Sequence, residues 1–498
     1  MSGAVGSIVS NFGALEALNG IAAAQQANNT YETQLSSGLS INSPADNPAG
    51  FIQAQGFTSQ INGITQAASN ANEGISLLQT AQGAVQQQLD IAQKLNSIAV
   101  QAANGTQTPQ EAQSLQGVVS QLSSQITTIA QQTQFNNINL LDGTFSGVQF
   151  QVGANAGQTI DLSIGSTQAA NLGMYTLKDS TTSLMYQTQT GGSGSGAISA
   201  AAGAFTAGAL TITGSNGTSP PINVTGSESA YSIATAVNAT ANTTNVSAQA
   251  TTQIAVALSG TTTGYAFTLG NGTSSAQITG TSMSSVVNAV NAQTANTGIT
   301  ATVQAAASGS SVTGNIVLTQ SQGKNISITN TSNTTGGYGT LTATTGSAVP
   351  VSVAAAPGTT ANTLLVQGKV SFQSDAAFSV ANASGIGLAS TSTLDTLSGI
   401  NVSTTGGANT AINVVKYAIE GLNNLGGQLG ATQQRLSATL SNLTTTSMNL
   451  QNGLSVVQDA NIPAVSQRLT QSQIQAQAGV AALKSSTTLQ QAYLSLLP

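Results

Sequence analysis

The sequence predicts an α+β protein of several domains, in which a long coiled-coil-like helical rod is built from both chain ends and carries an inserted β-rich region. Apolar residues recur with heptad spacing in the first and last parts of the 498 residues. The middle is instead rich in Thr, Ser, Gly, Asn and Val and contains short alternating runs. The length is sufficient for roughly three or four domains of ordinary size.

The two terminal segments, 1–42 and 459–498, carry weak apolar stripes and little else that could form a core. We expect both to be disordered in a monomer and helical only against neighbours, because neither buries enough apolar surface to offset its ordering entropy. Repeated contacts between copies that do not close into a ring give an open helical filament. The predicted contact residues are Leu15, Leu18, Ala22, Val465, Leu469, Ala476, Val480 and Leu483.

A rod domain is predicted over 43–180 and 405–458. From Ile64 an apolar seam with spacings of four and three continues until Asn104-Gly105 ends the helix. The run from Thr108 to Glu111 is a capping box with proline at the first helical position, so a second helix begins there and packs back on the first. Leucines from Leu422 onward stand seven apart. The predicted rod core is Ile64, Ile75, Leu78, Val85, Leu89, Leu115, Leu122, Ile126, Leu422, Leu429, Leu436, Leu443 and Leu450.

The middle of the chain is predicted to form two or more α+β modules, a first at 181–260 and a second at 261–404. An internal repeat supports this division, because the run from Ser232 to Ala239 matches the run from Ser285 to Ala292 at an offset of 53. Short alternating runs bounded by Asn-Gly and Gly-Ser turns indicate strands.

The composition argues against most chemistry. Histidine and cysteine are absent, and only 4% of residues are charged, with 8 Lys or Arg and 14 Asp or Glu. Such a chain lacks the commonest general base, the thiolate nucleophile and the field that would hold a phosphate backbone. We therefore expect no enzymatic activity, no cofactor, no metal, no nucleic acid and no membrane insertion. The first basic residue is Lys94, so a secretory signal with a basic start is not expected.

Several runs make the chain resemble bacterial flagellin, the subunit of the flagellar filament, over about 1–175 and 405–498. The matching runs are Leu35 to Gly50, Ala71 to Ser76, Gln132 to Asn136, Leu140 to Gly143, Phe150 to Asn155, Leu429 to Ala431, Asp459 to Asn461 and Leu494 to Leu497.

The resemblance implies a structural, extracellular protein for swimming motility. It implies that the terminal helices form an inner tube, that the rod forms the next shell, and that the β modules project outward. It further implies secretion through the flagellar export apparatus, with an export chaperone, a filament cap and hook-associated proteins as partners. Two alternatives stay open. The run from Asn461 to Ala464 departs from the usual flagellin pattern and favours a hook-filament junction protein, and the β modules could bind carbohydrate.

Two departures from the family pattern carry expectations of their own. Ser40 and Asp46-Asn47 stand where the family usually has a basic residue and paired acids, so we expect apolar and hydrogen-bonded contacts there instead of ion pairs. The positions matching the surface sensed by vertebrate innate receptors are Lys94, Ile98 and Val118, and the family's helical acid falls at Val118. We therefore predict weak or no receptor activation.

Overall fold

The computed structural model describes residues 12–178, 186–189, 205–259, 264–304, 315–330, 340–344, 351–353 and 363–495. The chain forms two compact units. The first contains the chain up to Thr80, Ser146–Ser163 and the chain from Leu429 onward, and the second contains Ala81–Phe145 and Ile164–Gln428. The helices of the described ranges are α1 (Phe12–Ser37), α2 (Pro48–Ala102), α3 (Pro109–Gln132), α4 (Ala230–Ala239), α5 (Ala241–Thr244), α6 (Met283–Ala292), α7 (Thr294–Thr297), α8 (Thr405–Gln458) and α9 (Ile462–Ser495).

The predicted start of α3 is confirmed. The Thr108 hydroxyl accepts from the Glu111 backbone N–H at 3.3 Å, and the Glu111 carboxylate accepts from the Thr108 backbone N–H at 2.8 Å. Helix α2 is longer than the seam predicted from Ile64, because it already begins at Pro48. The Asn47 side chain accepts from the Gly50 backbone N–H at 3.0 Å and so caps this earlier start.

The buried face of α2 differs from the predicted seam at every second position. The predicted positions 64, 71, 78, 85, 92 and 99 are buried, but their partners are 67, 74, 81, 88, 95 and 102 instead of 68, 75, 82, 89 and 96. Ile75 and Leu89 are consequently only half-buried. The second set of buried positions on α2 is mostly small or polar, so the apolar pattern of the sequence did not predict it. These positions are Ala67, Gly74, Ala81, Gln88, Leu95 and Ala102.

Glutamine side chains on α2 and α3 form hydrogen bonds to backbone groups within the second unit. The fully buried Gln88 donates to the Ile126 carbonyl at 3.0 Å. On α3, Gln116 donates to the Ile400 carbonyl at 3.1 Å and accepts from the Val402 N–H at 2.7 Å. Amide side chains therefore satisfy backbone groups of the packed segment, as burial requires.

The remaining predicted rod residues divide between the buried core and its margin. Leu115 and Leu122 on α3 are half-buried, because Ser123 and Ala130 occupy the buried positions beside Ile126. Eight predicted residues are buried as expected, and Leu450 on α8 is half-buried; the eight are Ile64, Leu78, Val85, Ile126, Leu422, Leu429, Leu436 and Leu443.

All the strand pairings described are antiparallel. The strands are β1 (Gln134–Phe135), β2 (Ile138–Asn139), β3 (Val148–Gln151), β4 (Thr159–Leu162), β5 (Gly173–Thr176), β6 (Tyr186–Gln189), β7 (Gly208–Gly214), β8 (Gly217–Thr218), β9 (Ile222–Val224), β10 (Ser247–Ser259), β11 (Tyr265–Gly270), β12 (Ser275–Gly280), β13 (Ile299–Gln304), β14 (Asn315–Gln320), β15 (Ile326–Asn330), β16 (Thr340–Thr344), β17 (Val351–Val353), β18 (Thr363–Val366), β19 (Lys369–Ser374), β20 (Ser379–Ala381) and β21 (Thr393–Thr396).

Two larger sheets organise the strand-rich region. One has the order β13-β14-β10-β19-β5-β21, with β16 also on β10 and β17 on β16; the other has the order β12-β11-β15-β18-β6. Strand β20 joins β7 and β8 in a smaller sheet, with β9 also on β7. Strands β3 and β4 pair as a hairpin in the first unit, and β1 and β2 pair in the second.

The strand-rich region contains two hydrophobic cores, and one module is inserted into the other. The first-module core extends from Leu177 to Ala248 and resumes at Val370 to Leu388, whereas the second-module core extends from Ile254 to Val366. This arrangement differs from the predicted boundary at 260, because residues after 369 belong with the first core. Strand β10 explains the nesting: its first half pairs with β19 of the first module and its second half with β14 of the second.

The predicted internal repeat is confirmed by equivalent hydrogen bonds in the two modules. The Asn238 amide donates to the Ala248 carbonyl at 2.9 Å and accepts from the Ala248 N–H at 2.8 Å. Asn291 makes the same pair of bonds with Ala301, at 3.0 and 2.8 Å. In each module an asparagine therefore fixes the helix to the following strand.

Candidate functional site: the terminal helix pair and its junction

Helices α1 and α9 pack against each other within the first unit. The Ser472 hydroxyl donates to the Asn28 side chain across the pair. A Cβ at Gly479 would lie 2.8 Å from Ile21 Cγ1, so glycine permits the close approach there. The residues at least half-buried on the facing sides are Ala14, Ala17, Ile21, Ala24, Asn28, Tyr31, Val465, Leu469, Ser472, Ala476, Gly479 and Leu483.

This pairing differs from the expectation that the terminal segments have no ordered structure in a single chain. Both described segments are helices, and each supplies the apolar partner that the other needs. Their facing positions recur at spacings of three and four on both helices, which is the geometry of a two-helix coiled coil. Each stripe is weak when it is considered alone, so the burial of the two helices against each other was not predicted.

The predicted contact residues fall on two different faces. Val465, Leu469, Ala476 and Leu483 turn toward α1, so their apolar surface is used inside the chain. Leu15, Leu18, Ala22 and Val480 are exposed; 57% of Leu15, 50% of Leu18 and 54% of Val480 is accessible. Three further large exposed residues were not predicted, namely Phe12, Ile474 and Leu489.

The helix pair thus leaves several large apolar side chains exposed. We use the name terminal face for the exposed set Phe12, Leu15, Leu18, Ile474, Val480 and Leu489, which are each at least half exposed and belong to both helices. The facing side contains several alanines and a glycine. Exposed large apolar side chains are typical of surfaces that contact other molecules.

A hydrogen-bonded junction ties the two chain ends together where the helices break. Leu39 and Asp459 form an antiparallel bridge between the α1–α2 turn and the α8–α9 break. The Ser40 N–H and hydroxyl both donate to the Gln458 carbonyl, at 2.6 and 3.1 Å. Gly38, with φ of 74°, ends α1 in the left-handed region. The junction therefore agrees with the expectation that hydrogen bonds act where ion pairs are missing.

Asp46 stabilises the turn that leads from this junction into α2. Its carboxylate accepts from the Asn42 N–H at 3.0 Å and from the Ser43 N–H at 2.8 Å. These backbone hydrogen bonds, with that of the Ser43 hydroxyl, lower the pKa of Asp46 below its ordinary value. A single acid bonded to backbone N–H groups thus organises a turn without a cationic partner.

Exposed apolar side chains also surround the junction. Leu35 lies near the end of α1, Ile52 near the start of α2, Val456 near the end of α8 and Ile462 at the start of α9. Their exposed fractions range from 38% for Leu35 to 86% for Val456. We call these four residues the junction patch. They were not predicted, because isolated apolar residues at helix ends form no stripe.

The hairpin β3–β4 packs on the rod helices of the first unit. A Cβ at Gly74 would lie 3.1 Å from Leu436 Cδ1 and 3.3 Å from Phe150 Cδ1, so α2, α8 and the hairpin meet at this glycine. Ile64 and Leu443 form a small buried cluster nearby along the same helices. These contacts combine segments from both halves of the sequence.

The positions equivalent to the receptor-sensed surface are not uniformly accessible. Lys94 is exposed and Val118 is 40% exposed, but Ile98 is buried with 8% accessible. Weak receptor activation stays a prediction, which a reporter-cell assay with purified monomer would test. Among the described helices, none has the length and hydropathy needed to cross a membrane.

The comparisons with known proteins agree with this architecture. The bacterial flagellin N-terminal helical region matches residues 8–146, and the bacterial flagellin C-terminal helical region matches residues 412–497. The B-type flagellin of Pseudomonas aeruginosa is 32% identical and covers 98% of both chains.

Two solved structures are also similar in part. FliC from Burkholderia pseudomallei is 18% identical over 73% of this chain and 99% of that chain, with a TM-score of 0.29. The flagellar junction protein FlgL from Legionella pneumophila is 12% identical over 82% and 99%, also with a TM-score of 0.29. Scores this low carry no argument, and the family rests on the sequence matches at both ends and along the full length. The chain belongs to the bacterial flagellin family.

Proposed function

We propose that copies of this flagellin polymerise through the terminal face and the junction patch, forming the flagellar filament used for swimming. The observation that carries the proposal is the exposure of several large apolar side chains on the α1–α9 pair. Alanines and a glycine fill much of the contact between the helices, while Phe12, Leu15 and Leu18 remain in water. Burial of such side chains between copies contributes about 1.5–3 kcal/mol each.

The filament is proposed to be extracellular, reached through the flagellar export apparatus. An export chaperone, a filament cap and hook-associated proteins are the proposed partners, as expected of a flagellin. The chain is proposed to act structurally, without catalysis, metal or cofactor. The strand-rich modules are proposed to form the outer part of the filament, and carbohydrate binding by them stays a prediction that a glycan-binding screen would test.

The sequence feature that favoured a hook-filament junction protein has a local explanation. Asn461 accepts from the Ala464 N–H through its side chain at 3.2 Å, and its carbonyl accepts from the Val465 N–H at 2.9 Å. Asn461 therefore caps α9, and Pro463 lies in the first turn, where proline is tolerated. The departure from the family pattern serves helix initiation, so it no longer favours the junction protein.

The test is polymerisation of the purified protein, viewed by electron microscopy. The parent chain should form filaments of micrometre length, whereas a junction protein would form only short rings. The pair of substitutions Leu15→Ser and Leu18→Ser should abolish filaments while the monomer keeps its helical circular dichroism. Asn19→Ser, also exposed on α1, is the matched control and should polymerise normally. Normal filaments from a chain lacking both terminal segments would contradict the proposal.

A further inference from the structure

Three charged side chains lie together in the second unit, in a chain where charge is scarce. Lys416 and Glu420 on α8 form an ion pair at 3.9 Å, and Asp375 directly follows strand β19 of the first module. Burial raises the pKa of Glu420; Lys416 opposes this shift and the charge of Asp375 adds to it. A cluster of this kind in a chain with 4% charged residues indicates a specific contact between the first module and α8.

Asp375 accepts hydrogen bonds from two different parts of the unit. One carboxylate oxygen accepts from the Asn245 amide at 2.6 Å, and the other accepts from the Asn424 amide at 2.5 Å. Asn245 precedes strand β10 of the first module, whereas Asn424 lies on α8. The carboxylate thus bridges the module and the helix with both oxygens, and such charge-assisted bonds are stronger than neutral ones.

A second contact lies beside the first. The Ser247 hydroxyl and the Tyr417 hydroxyl are 2.5 Å apart, and Tyr417 is buried with 8% accessible. Burial raises the pKa of Tyr417 above its ordinary value, so the phenol stays neutral and able to donate at physiological pH. Two neighbouring hydrogen-bonded contacts therefore join the same end of the module to α8.

Backbone contacts join the described part of this module to strand β5 and to the residue that follows Leu177. Strand β19 pairs with β5 through Gln373 and Ser374, and the Ala389 N–H donates to the Lys178 carbonyl at 2.9 Å. The core of the module also includes Leu177, and Tyr175 packs against it. The Asp375 and Tyr417 contacts attach a separate part of the module to α8, so they restrict its rotation relative to that helix.

We propose that Asp375 is a positioning residue that fixes the orientation of the first module on helix α8. Its carboxylate holds Asn245 and Asn424 at a set separation, and the Ser247–Tyr417 contact supports the same arrangement. Because the monomer already contains every group involved, the orientation is set before polymerisation. In the filament of the proposed function, this contact would give each subunit's module the same orientation.

The test measures orientation in the monomer, so it is independent of polymerisation. The chain has no cysteine, and Asn223→Cys on β9 with Asn409→Cys on α8 places two spin labels at exposed positions. Pulsed electron paramagnetic resonance then gives the distance distribution between the labels. Asp375→Ala should broaden this distribution about twofold, because the module gains freedom about its strand edge. Asp161→Asn, an exposed carboxylate of the first unit, is the control and should leave the distribution unchanged.

A paired exchange separates positioning from general stability. Asp375→Asn replaces one carboxylate oxygen with an amide NH₂ group. This group cannot accept the hydrogen bond from one of the two asparagine amides, so the distance distribution should broaden. Adding Asn424→Asp returns an acceptor to α8, so the double variant should recover the parent distribution even if its melting temperature stays lowered. A parent-like distribution for Asp375→Ala, or failure of the exchange to narrow the distribution, would overturn the proposal.

Discussion

The terminal helix pair and the strand-rich modules differ in how completely they bury their large apolar side chains. The first module buries Phe372 and Ile212 completely, and the second buries Phe267 and Leu269 almost completely. The α1–α9 pair instead buries Ala24 and leaves most of Phe12 in solvent. The modules therefore bury their large apolar side chains, whereas the terminal pair buries some, such as Val465, and leaves others, such as Phe12, exposed.

The substitution with the largest expected effect on stability removes a core side chain from one module. Phe372→Ala should destabilise the first module by about 3–5 kcal/mol, because it removes a fully buried ring and leaves a cavity. Hydrogen exchange resolved by segment would show faster exchange in the first module and unchanged exchange in α1 and α9. Leu15→Ala is the exposed control and should stay within about 0.5 kcal/mol of the parent. Equal loss of protection in the terminal helices would contradict the separation.

The second test enlarges a small residue between the terminal helices. Ala24→Leu should destabilise the α1–α9 pair by about 1–3 kcal/mol, because the contact has no room for added methylene groups. Ala22→Leu, on the exposed side of the same helix, should have little effect on the monomer. Circular dichroism during heating would give the melting temperatures of the two variants. Equal melting temperatures would mean that the side of α1 that faces α9 is assigned incorrectly.

The third test compares the two modules directly. Asn238→Ala and Asn291→Ala each remove two hydrogen bonds to a backbone residue, so each should destabilise its own module by about 1–2 kcal/mol. Hydrogen exchange should assign each loss to the module that contains the substitution. A loss shared equally by both modules would indicate that they unfold as one unit, in spite of their separate cores.

The smallest expected effect is that of pH. Hydrogen bonds lower the pKa of Asp46, Glu111 and Asp142, so their stabilisation is present at neutral pH and is lost only as pH falls through these lowered values. Burial, opposed by Lys416, raises the pKa of Glu420. This group therefore favours the folded state slightly more as pH falls through its raised value. Between pH 8 and 5.5 the free energy of unfolding should change by less than about 1 kcal/mol.

Denaturant unfolding at several pH values, with Glu420→Gln as the variant, would measure this dependence. Because the amide resembles the protonated carboxyl, the substitution should remove this pH dependence and bring the stability at neutral pH close to that at mildly acidic pH. Filament assembly should likewise depend little on salt, because exposed charges are few. Sharp dissociation of filaments between mildly acidic and neutral pH would contradict both expectations.

The sequence predicted the helical elements well because their signals are local. The capping box at Thr108 and the seven-residue leucine repeat can each be read within one helix. The second seam positions were wrong because Gly74, Gln88 and Ser123 are small or polar, and their burial depends on what packs against them. The pairing of Ala24 with α9 was missed for the same reason.

Non-local pairing also limited the prediction of the modules and of the contact at Asp375. The repeat around Asn238 and Asn291 was visible in the sequence, but its nesting depends on β10 pairing with β19 more than a hundred residues later. Asp375 and Asn424 are 49 positions apart and share no motif. Only the folded chain brings these residues together.

The nested arrangement leaves the second module connected through two adjacent strands. The chain passes into that module beyond Thr251 on β10 and returns through Lys369 on β19, and these two residues are paired with each other. Such a connection resembles the two ends of an ordinary β-hairpin. Exchange of the segment between these two residues would therefore replace the second module as one cassette, while the long helices keep their sequence.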